Sequence, residues 1–316
     1  MNTENNKFGV LLLTRNAEMH LQRCLGPIFD SPLKPKVLVI DTSSTDQTRE
    51  IAQRMGAQID IIKPLEFNHG ATRERGRKLL GTEVVIMLTQ DAYPVDAGML
   101  GFLVQPLLAG EASVSYARQL PHQGAGLLEA FQREFNYPAA SQIRGLADSK
   151  TYDVYTFFCS NSCAAWSNAA LDQVGGFPAI LSNEDYVTVA RLLSRGHRIA
   201  YVAEAQVYHS HTYSLRQEFQ RYFDTGYVRA ENRWIRDLVG TDESRGFNFT
   251  LALLKHALPR QPWLLPRILA LLLAKWLGYR CGFYGQGLPG KFIRWASGQK
   301  YYWHSNYAHP KFQFKK

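Results

Sequence analysis

Two observations in the sequence predict an α/β fold with a largely parallel sheet. Short β-branched and aliphatic runs alternate with helical patterns over the first hundred residues, as in a chain of βαβ units. The runs Phe8–Leu13, Val37–Ile40 and Val84–Leu88 carry no charge, the mark of strands covered on both faces. Each stops on polar residues, and the carboxyl ends of such strands are where open α/β sheets bind ligands.

In chain order, the first run ends on Thr14, Arg15 and Asn16, and a helical pattern follows on Met19, Leu21, Leu25 and Ile28. The second ends on Asp41-Thr42-Ser43-Ser44-Thr45-Asp46, whose hydroxyls and acids suit the start of a helix from about Gln47 to Met55. Ile59–Ile62 reads as a further strand. Phe67-Asn68-His69-Gly70-Ala71-Thr72-Arg73 is a loop entering a helix that ends near Leu80. Its basic residues and helix start could hold a diphosphate, or could form an ordinary solvated face.

The run Val84–Leu88 passes into Thr89-Gln90-Asp91, and Pro94 bars a central strand from continuing. Asp91 is then either a strand-end ligand or a turn former. A helix is expected over Gly98–Leu108, and a mobile loop with one helix over Gln119–Ser149. Asp185, in Asn183-Glu184-Asp185, opens an amphipathic helix, as a favourable dipole charge or as a general base. Ile199–Val202 and Ala205–Tyr208 read as two short strands running into His209-Ser210-His211. Histidines two apart on a strand share a face, so one or both could reach a metal near Asp91. Cys159 and Cys163 with the same histidines offer four zinc ligands, but at an unusual spacing.

The chain has 316 residues, 46% hydrophobic and 20% charged, which excludes wholesale disorder. Its net charge of +9 points to an anionic partner. Four scattered cysteines argue against a disulfide framework and for a reducing compartment. The polar amino terminus lacks a signal-peptide core, and no apolar run is long enough to span a bilayer. Neither the Gly-x-Gly-x-x-Gly nor the lysine-loop phosphate fingerprint is present. Beyond Leu215 the chain turns aromatic and basic. Pro262–Gly278, with Trp263 and Trp276, reads either as a helix lying in a membrane interface or as one packed on the protein's own core. The tail adds Lys311, Lys315 and Lys316, and aromatic and basic residues together suit anionic headgroups.

Taken together, Leu13–Asn16, Val39–Asp46, Gly70–Gly76, Leu88–Asp91, Gly175–Phe177, Asn183–Asp185 and Val207–His209 resemble the inverting glycosyltransferases of family 2. The segments Phe-Asn-His-Gly-x-Thr-Arg and Thr-Gln-Asp-Ala-x-Pro look most like bacterial rhamnosyltransferases using dTDP-L-rhamnose. The resemblance implies a GT-A fold over residues 1–213, a Rossmann-like nucleotide-binding sheet flanked by helices, with a helical extension over 214–316 as a candidate for membrane association. It implies a nucleotide-sugar site formed by Thr14, Arg15, Asn16, Asp41, Ser43, His69, Arg73, Gln90 and Asp91, with Asp41 facing the base and Arg73 supporting the diphosphate. Asp91 with His209 or His211 would bind Mg²⁺ or Mn²⁺, Asp185 would be the catalytic base, and Trp166 and Glu184 would contact the acceptor. Thr89 departs from the family's first metal-site acid, and Glu74 replaces a more usual Asn.

The implied protein transfers a sugar to a saccharide or lipid-linked acceptor in surface-polysaccharide synthesis. It would work in the cytoplasm, at the inner face of the membrane, with no nucleic-acid partner. Three rival readings are the same fold with a UDP- or GDP-sugar donor, a non-catalytic nucleic-acid-binding protein, and a membrane-associated scaffold with a decayed site.

Overall fold

The structure is a computed structural model that describes residues 6–240 and 243–308; Lys311, Lys315 and Lys316 lie outside the described residues. The first half is β1 (Phe8–Thr14), α1 (Glu18–Phe29), β2 (Lys36–Asp41), α2 (Thr48–Arg54), β3 (Gln58–Ile61), α3 (His69–Leu80), β4 (Val84–Thr89), β5 (Tyr93–Pro94) and α4 (Met99–Leu108). Then come β6 (Val114–Leu120), α5 (Leu127–Asn136), β7 (Gln142–Arg144), α6 (Ser149–Tyr152), β8 (Cys163–Ser167), α7 (Asn168–Gln173), α8 (Glu184–Leu193) and β9 (Ile199–Tyr208). The remainder is helical: α9 (Leu215–Glu231), α10 (Trp234–Val239), α11 (Glu243–Ala257), α12 (Leu265–Phe283) and α13 (Gly290–Ala296).

One mixed sheet runs β3-β2-β1-β4-β8-β6-β9-β5, with β7 on β9. The first four strands are parallel, so the ends of β1, β2 and β4 (Thr14, Asp41, Thr89) lie side by side. Their apolar runs are buried on both faces, Val10, Leu12, Val39 and Ile86 against α1 and α4, Leu11, Ile40 and Met87 on the other side. β8 pairs antiparallel to both β4 and β6.

The helix that carries His69 and Arg73 starts where the sequence places it, for a local reason. Asn68 caps α3 by accepting from the Ala71 amide at 3.0 Å, and its own amide donates to the Ile180 carbonyl at 2.7 Å. Gly70 lets the helix approach that segment, since a Cβ there would lie 1.9 Å from the Pro178 carbonyl oxygen. Glu74 accepts from the Phe177 amide at 3.1 Å and pairs with Arg77, so the departure from Asn serves this same junction.

The structure departs from expectation in three places. The stretch expected to be a mobile loop plus a helix also holds the end of β6 and all of β7. The two short strands at 199–208 are one strand, and the pairing with β6 jumps from Ala117–Val202 to Arg118–Gln206, so residues 203–205 bulge out and break the apolar pattern. The region from 215 onward is not a separate layer: Phe223, Tyr227, Val228, Ile293 and Trp303 share a core with Tyr116, Trp166 and Val187. α12 crosses α9 on glycines, a Cβ at Gly226, Gly278 or Gly282 falling within 2.3 Å of a backbone oxygen of the facing helix. Its other face leaves Leu269, Leu273 and Trp276 more than half exposed. Among the described residues no helix is long and apolar enough to cross a membrane.

Candidate active site

A cavity of about 320 Å³ opens at the carboxyl ends of β1, β2 and β4. Thr14, Arg15, His69, Arg73, Gln90 and Asp91 line it as expected, joined by Thr42, Pro64, Phe67 and Asn68. Gln90 fixes the loop after β1, accepting from the Arg15 amide at 2.9 Å and donating to the Arg15 carbonyl at 3.3 Å. His69 packs edge-on to Phe67, and burial beside Arg73 lowers its pKa to about 4, so the ring is neutral.

Three expected nucleotide contacts, Asp41, Asn16 and Ser43, are not among the residues that line the cavity. Asp41 is fully buried and accepts from the Thr14 hydroxyl at 3.0 Å and the Ser44 amide at 2.8 Å. Asn16 accepts from the Thr45 amide, and the Ser43 hydroxyl donates to the Ile62 carbonyl; both residues adopt positive φ. They shape the loops that carry Arg15 and Thr42.

Asp91, His209 and His211 converge because β5 and β9 are antiparallel with Tyr93 opposite Tyr208. Extending that register sets the residues before Tyr93 against those after Tyr208. His209 Nε2 lies 3.5 Å from one Asp91 oxygen and His211 Nε2 lies 3.3 Å from the other. The two Nε2 atoms are 3.1 Å apart. Burial works against the Asp91 charge, but the hydrogen bond and positive potential of the histidines hold its pKa well below the usual range. Burial next to His209 lowers His211 to about 4.

Gln119, at the end of β6, accepts from His209 Nδ1 at 2.9 Å and also from Arg133. That leaves His209 Nε2 facing Asp91 and His211, on the side where an imidazole with such an outer partner would bind a metal. One carboxylate and two imidazoles, all within 4.8 Å of one another, fit a divalent cation. The spacing of the nitrogens matches neighbouring ligands at about 2.1 Å from one ion. Cys159 and Cys163 are buried free thiols outside this cluster, which removes the four-ligand zinc reading.

The second centre is the start of α8. Asp185 accepts from the Asn161 amide at 3.2 Å and from the Tyr186 amide at 2.8 Å. Burial and the neighbouring Glu184 charge raise its pKa to about 6, the value of a base poised near neutrality. Glu184 does not face an acceptor: it is 4% exposed, forms an ion pair with Arg73 and accepts from the Asn161 side chain at 3.0 Å. Burial opposes the Glu184 charge, but the Arg73 charge and the hydrogen bond from Asn161 hold its pKa below the ordinary carboxylate value. Arg73 therefore reaches the cavity already paired. Trp166 is fully buried, donating from its ring nitrogen to Asn161 at 2.9 Å and packing on Phe177, so it steadies Asn161 and has no surface for a sugar.

Asn161 and Gln119 were not legible as site residues. Gln119 donates to the Ser160 hydroxyl at 2.9 Å, which ties the histidine cluster to the loop that holds Asp185. Only the proximity of Asn161 to the glycine pair and the Glu-Asp dipeptide in the chain hinted at its role.

Residues 6–236 match the family model described as glycosyltransferase-like family 2. The chain is 40% identical over 273 residues to the O-antigen chain rhamnosyltransferase WbaN of Salmonella anatum, covering 85% of this chain and 86% of that one. It is 37% identical over 308 residues to the O-antigen chain rhamnosyltransferase RfbN of Salmonella typhimurium, covering 95% and 96%. Among solved structures, the fold is similar to a mannosyltransferase from Pyrobaculum calidifontis in complex with GDP-Man and Mn²⁺, with a TM-score of 0.62, 15% identity, and coverage of 90% and 89%. It is also similar to Staphylococcus aureus TarS in complex with UDP-GlcNAc, with a TM-score of 0.52, 17% identity, and coverage of 89% and 92%. With these relatives matched nearly end to end and the sheet, cavity and paired centres in place, the chain belongs to glycosyltransferase-like family 2 and is a GT-A-type glycosyltransferase.

Proposed function

We propose that the enzyme transfers L-rhamnose from dTDP-L-rhamnose to a saccharide on a lipid-linked carrier, with inversion, during O-antigen assembly. The observation that carries this reading is the near full-length match to two O-antigen rhamnosyltransferases. The site supports the chemistry. Asp185 takes the proton of the acceptor hydroxyl while that oxygen forms its bond to the anomeric carbon, and the bond to the diphosphate oxygen breaks on the opposite side. Burial and the Glu184 carboxylate raise the proton affinity of Asp185, and Arg73, paired with Glu184, partly offsets this. A cation held by Asp91, His209 and His211 would supply positive charge for the departing nucleoside diphosphate. A set with two imidazoles ranks transition ions above Mg²⁺, which favours Mn²⁺.

His211 also borders a recess of about 100 Å³ walled by Glu129, Tyr213 and Arg267. That recess joins the histidine cluster to α12, where Leu269, Leu273 and Trp276 are exposed beside Trp263 and Arg280. An apolar face with basic residues suits the surface of an anionic membrane that would present a lipid-linked acceptor. Sedimentation with vesicles tests this: Leu273→Glu with Trp276→Glu should abolish pelleting with anionic vesicles, and unchanged pelleting would overturn it.

The donor test is incubation with Mn²⁺, a rhamnose-accepting lipid-linked saccharide, and dTDP-L-rhamnose, UDP-sugars or GDP-sugars in parallel. Product from dTDP-L-rhamnose alone, with inverted anomeric configuration by NMR, is the expected result. Turnover only with a UDP- or GDP-sugar would keep the mechanism and discard the donor.

A further inference from the structure

The carboxyl-terminal segment returns across the whole molecule to the donor cavity. Gln299, Tyr301 and Tyr302 line it opposite Thr14, Arg15 and Thr42. Both ends of this segment are anchored. On one side the Gly298 amide donates to the buried carboxyl of Asp224 in α9 at 3.0 Å, and Gln220 donates to the Trp295 carbonyl at 2.9 Å. On the other, Trp303 is 1% exposed and meets the Tyr227 ring edge-on. Between the anchors, Tyr301 is 45% exposed, with the Arg15 guanidinium 4.9 Å from its ring centre.

The two ends of the cavity differ in chemistry. The end at Asp91 suits a cation and the diphosphate, whereas Pro64, Phe67, Tyr301 and Tyr302 give the cavity apolar and aromatic walls. The one flat, aromatic part of a nucleotide sugar is its base.

We propose that the strap Gln299–Tyr302 is the outer wall of the nucleoside subsite and that Tyr301 is a base-stacking residue that sets donor affinity. The proposal rests on reading this cavity as the donor site. It gives the carboxyl-terminal region a part in substrate binding separate from any lipid contact. Stacking accepts any pyrimidine face, so Tyr301 contributes affinity, and Gln299 adds a polar side chain to the same wall.

Calorimetry on the full chain with Mn²⁺ tests it, using dTDP and inorganic pyrophosphate as separate probes. Tyr301→Ala should weaken dTDP about tenfold, the scale of losing one aromatic platform under a base. It should leave pyrophosphate binding unchanged, and Tyr301→Phe should restore dTDP affinity. Equal dTDP affinity in wild type and Tyr301→Ala would overturn the strap proposal alone. Parallel losses for dTDP and pyrophosphate would also overturn it, by marking a general defect. Failure of the wild type to bind any nucleoside diphosphate would instead remove the donor-site reading and the strap with it.

Discussion

Asp91 and Asp185 are both carboxylates at the end of a secondary element, and their surroundings drive them in opposite directions. Asp91 lies between two imidazoles that hold its pKa well down, so it is an anion at every working pH. Asp185 lies beside the buried anion Glu184 and is raised to about 6. Residue type is the same; the neighbours suit one to holding a cation and the other to accepting a proton. The two settings are also connected, since His209, Gln119, Ser160, Asn161 and Asp185 form one run of hydrogen bonds and adjoining backbone.

The largest effect separating them is expected at Asp185. Asp185→Asn keeps the shape and removes the base, so turnover should fall by about 10²–10⁴-fold. Donor affinity measured by calorimetry should stay at the wild-type value. Near wild-type turnover would reverse the assignment. Asp91→Ala should show the complementary pattern, with Mn²⁺-supported dTDP binding dropping to the level measured in EDTA. If Mn²⁺ still strengthens dTDP binding in that variant, the ion is held elsewhere.

A smaller effect tests the connection. Gln119→Leu removes the acceptor that directs His209, and the loss of such an outer partner typically costs about 10–100-fold in metal affinity or activity. Mn²⁺ titration and steady-state rates on the same variant should fall together. A rate loss with unchanged Mn²⁺ affinity would mean that Gln119 acts through Ser160 and the base loop alone.

The parts that were legible in the sequence are those dictated by local pattern. The parallel strands, the helix that starts in the Phe67–Arg73 segment and the one that Asp185 opens all follow from short-range rules. What escaped depends on contacts between distant segments. Gln119 and Asn161 are polar residues with no signature of their own, and their roles exist only once β6, β8 and α8 meet. Asp41 was legible as a strand-end acid, but the Thr14 and Ser44 groups that turn it inward come from the fold. The burial of Trp166 and Glu184 likewise comes from the fold, since burial is not written in an aromatic or an acid. The helical tail carried a readable apolar pattern, yet it is contacts with α9, the glycine crossing and the Gly298–Asp224 hydrogen bond among them, that bring Gln299, Tyr301 and Tyr302 to the cavity.

The subtlest expected change is in pH dependence. Asp185 works only when ionised, so kcat/KM should be low in acid, rise as pH passes about 6, and level off above it. Burial is the larger cause of the raised pKa and the Glu184 charge the next. Glu184→Gln removes that charge while leaving an acceptor for Arg73 and Asn161. Breaking a buried ion pair costs about 3–5 kcal/mol, so thermal unfolding must first establish that the variant is folded at the assay temperature. In the folded variant Asp185 sheds its proton more readily, and the midpoint of the kcat/KM profile should move to lower pH. A midpoint that stays near 6 would leave burial as the sole cause. A midpoint that rises would mean that the kinetic midpoint belongs to another group.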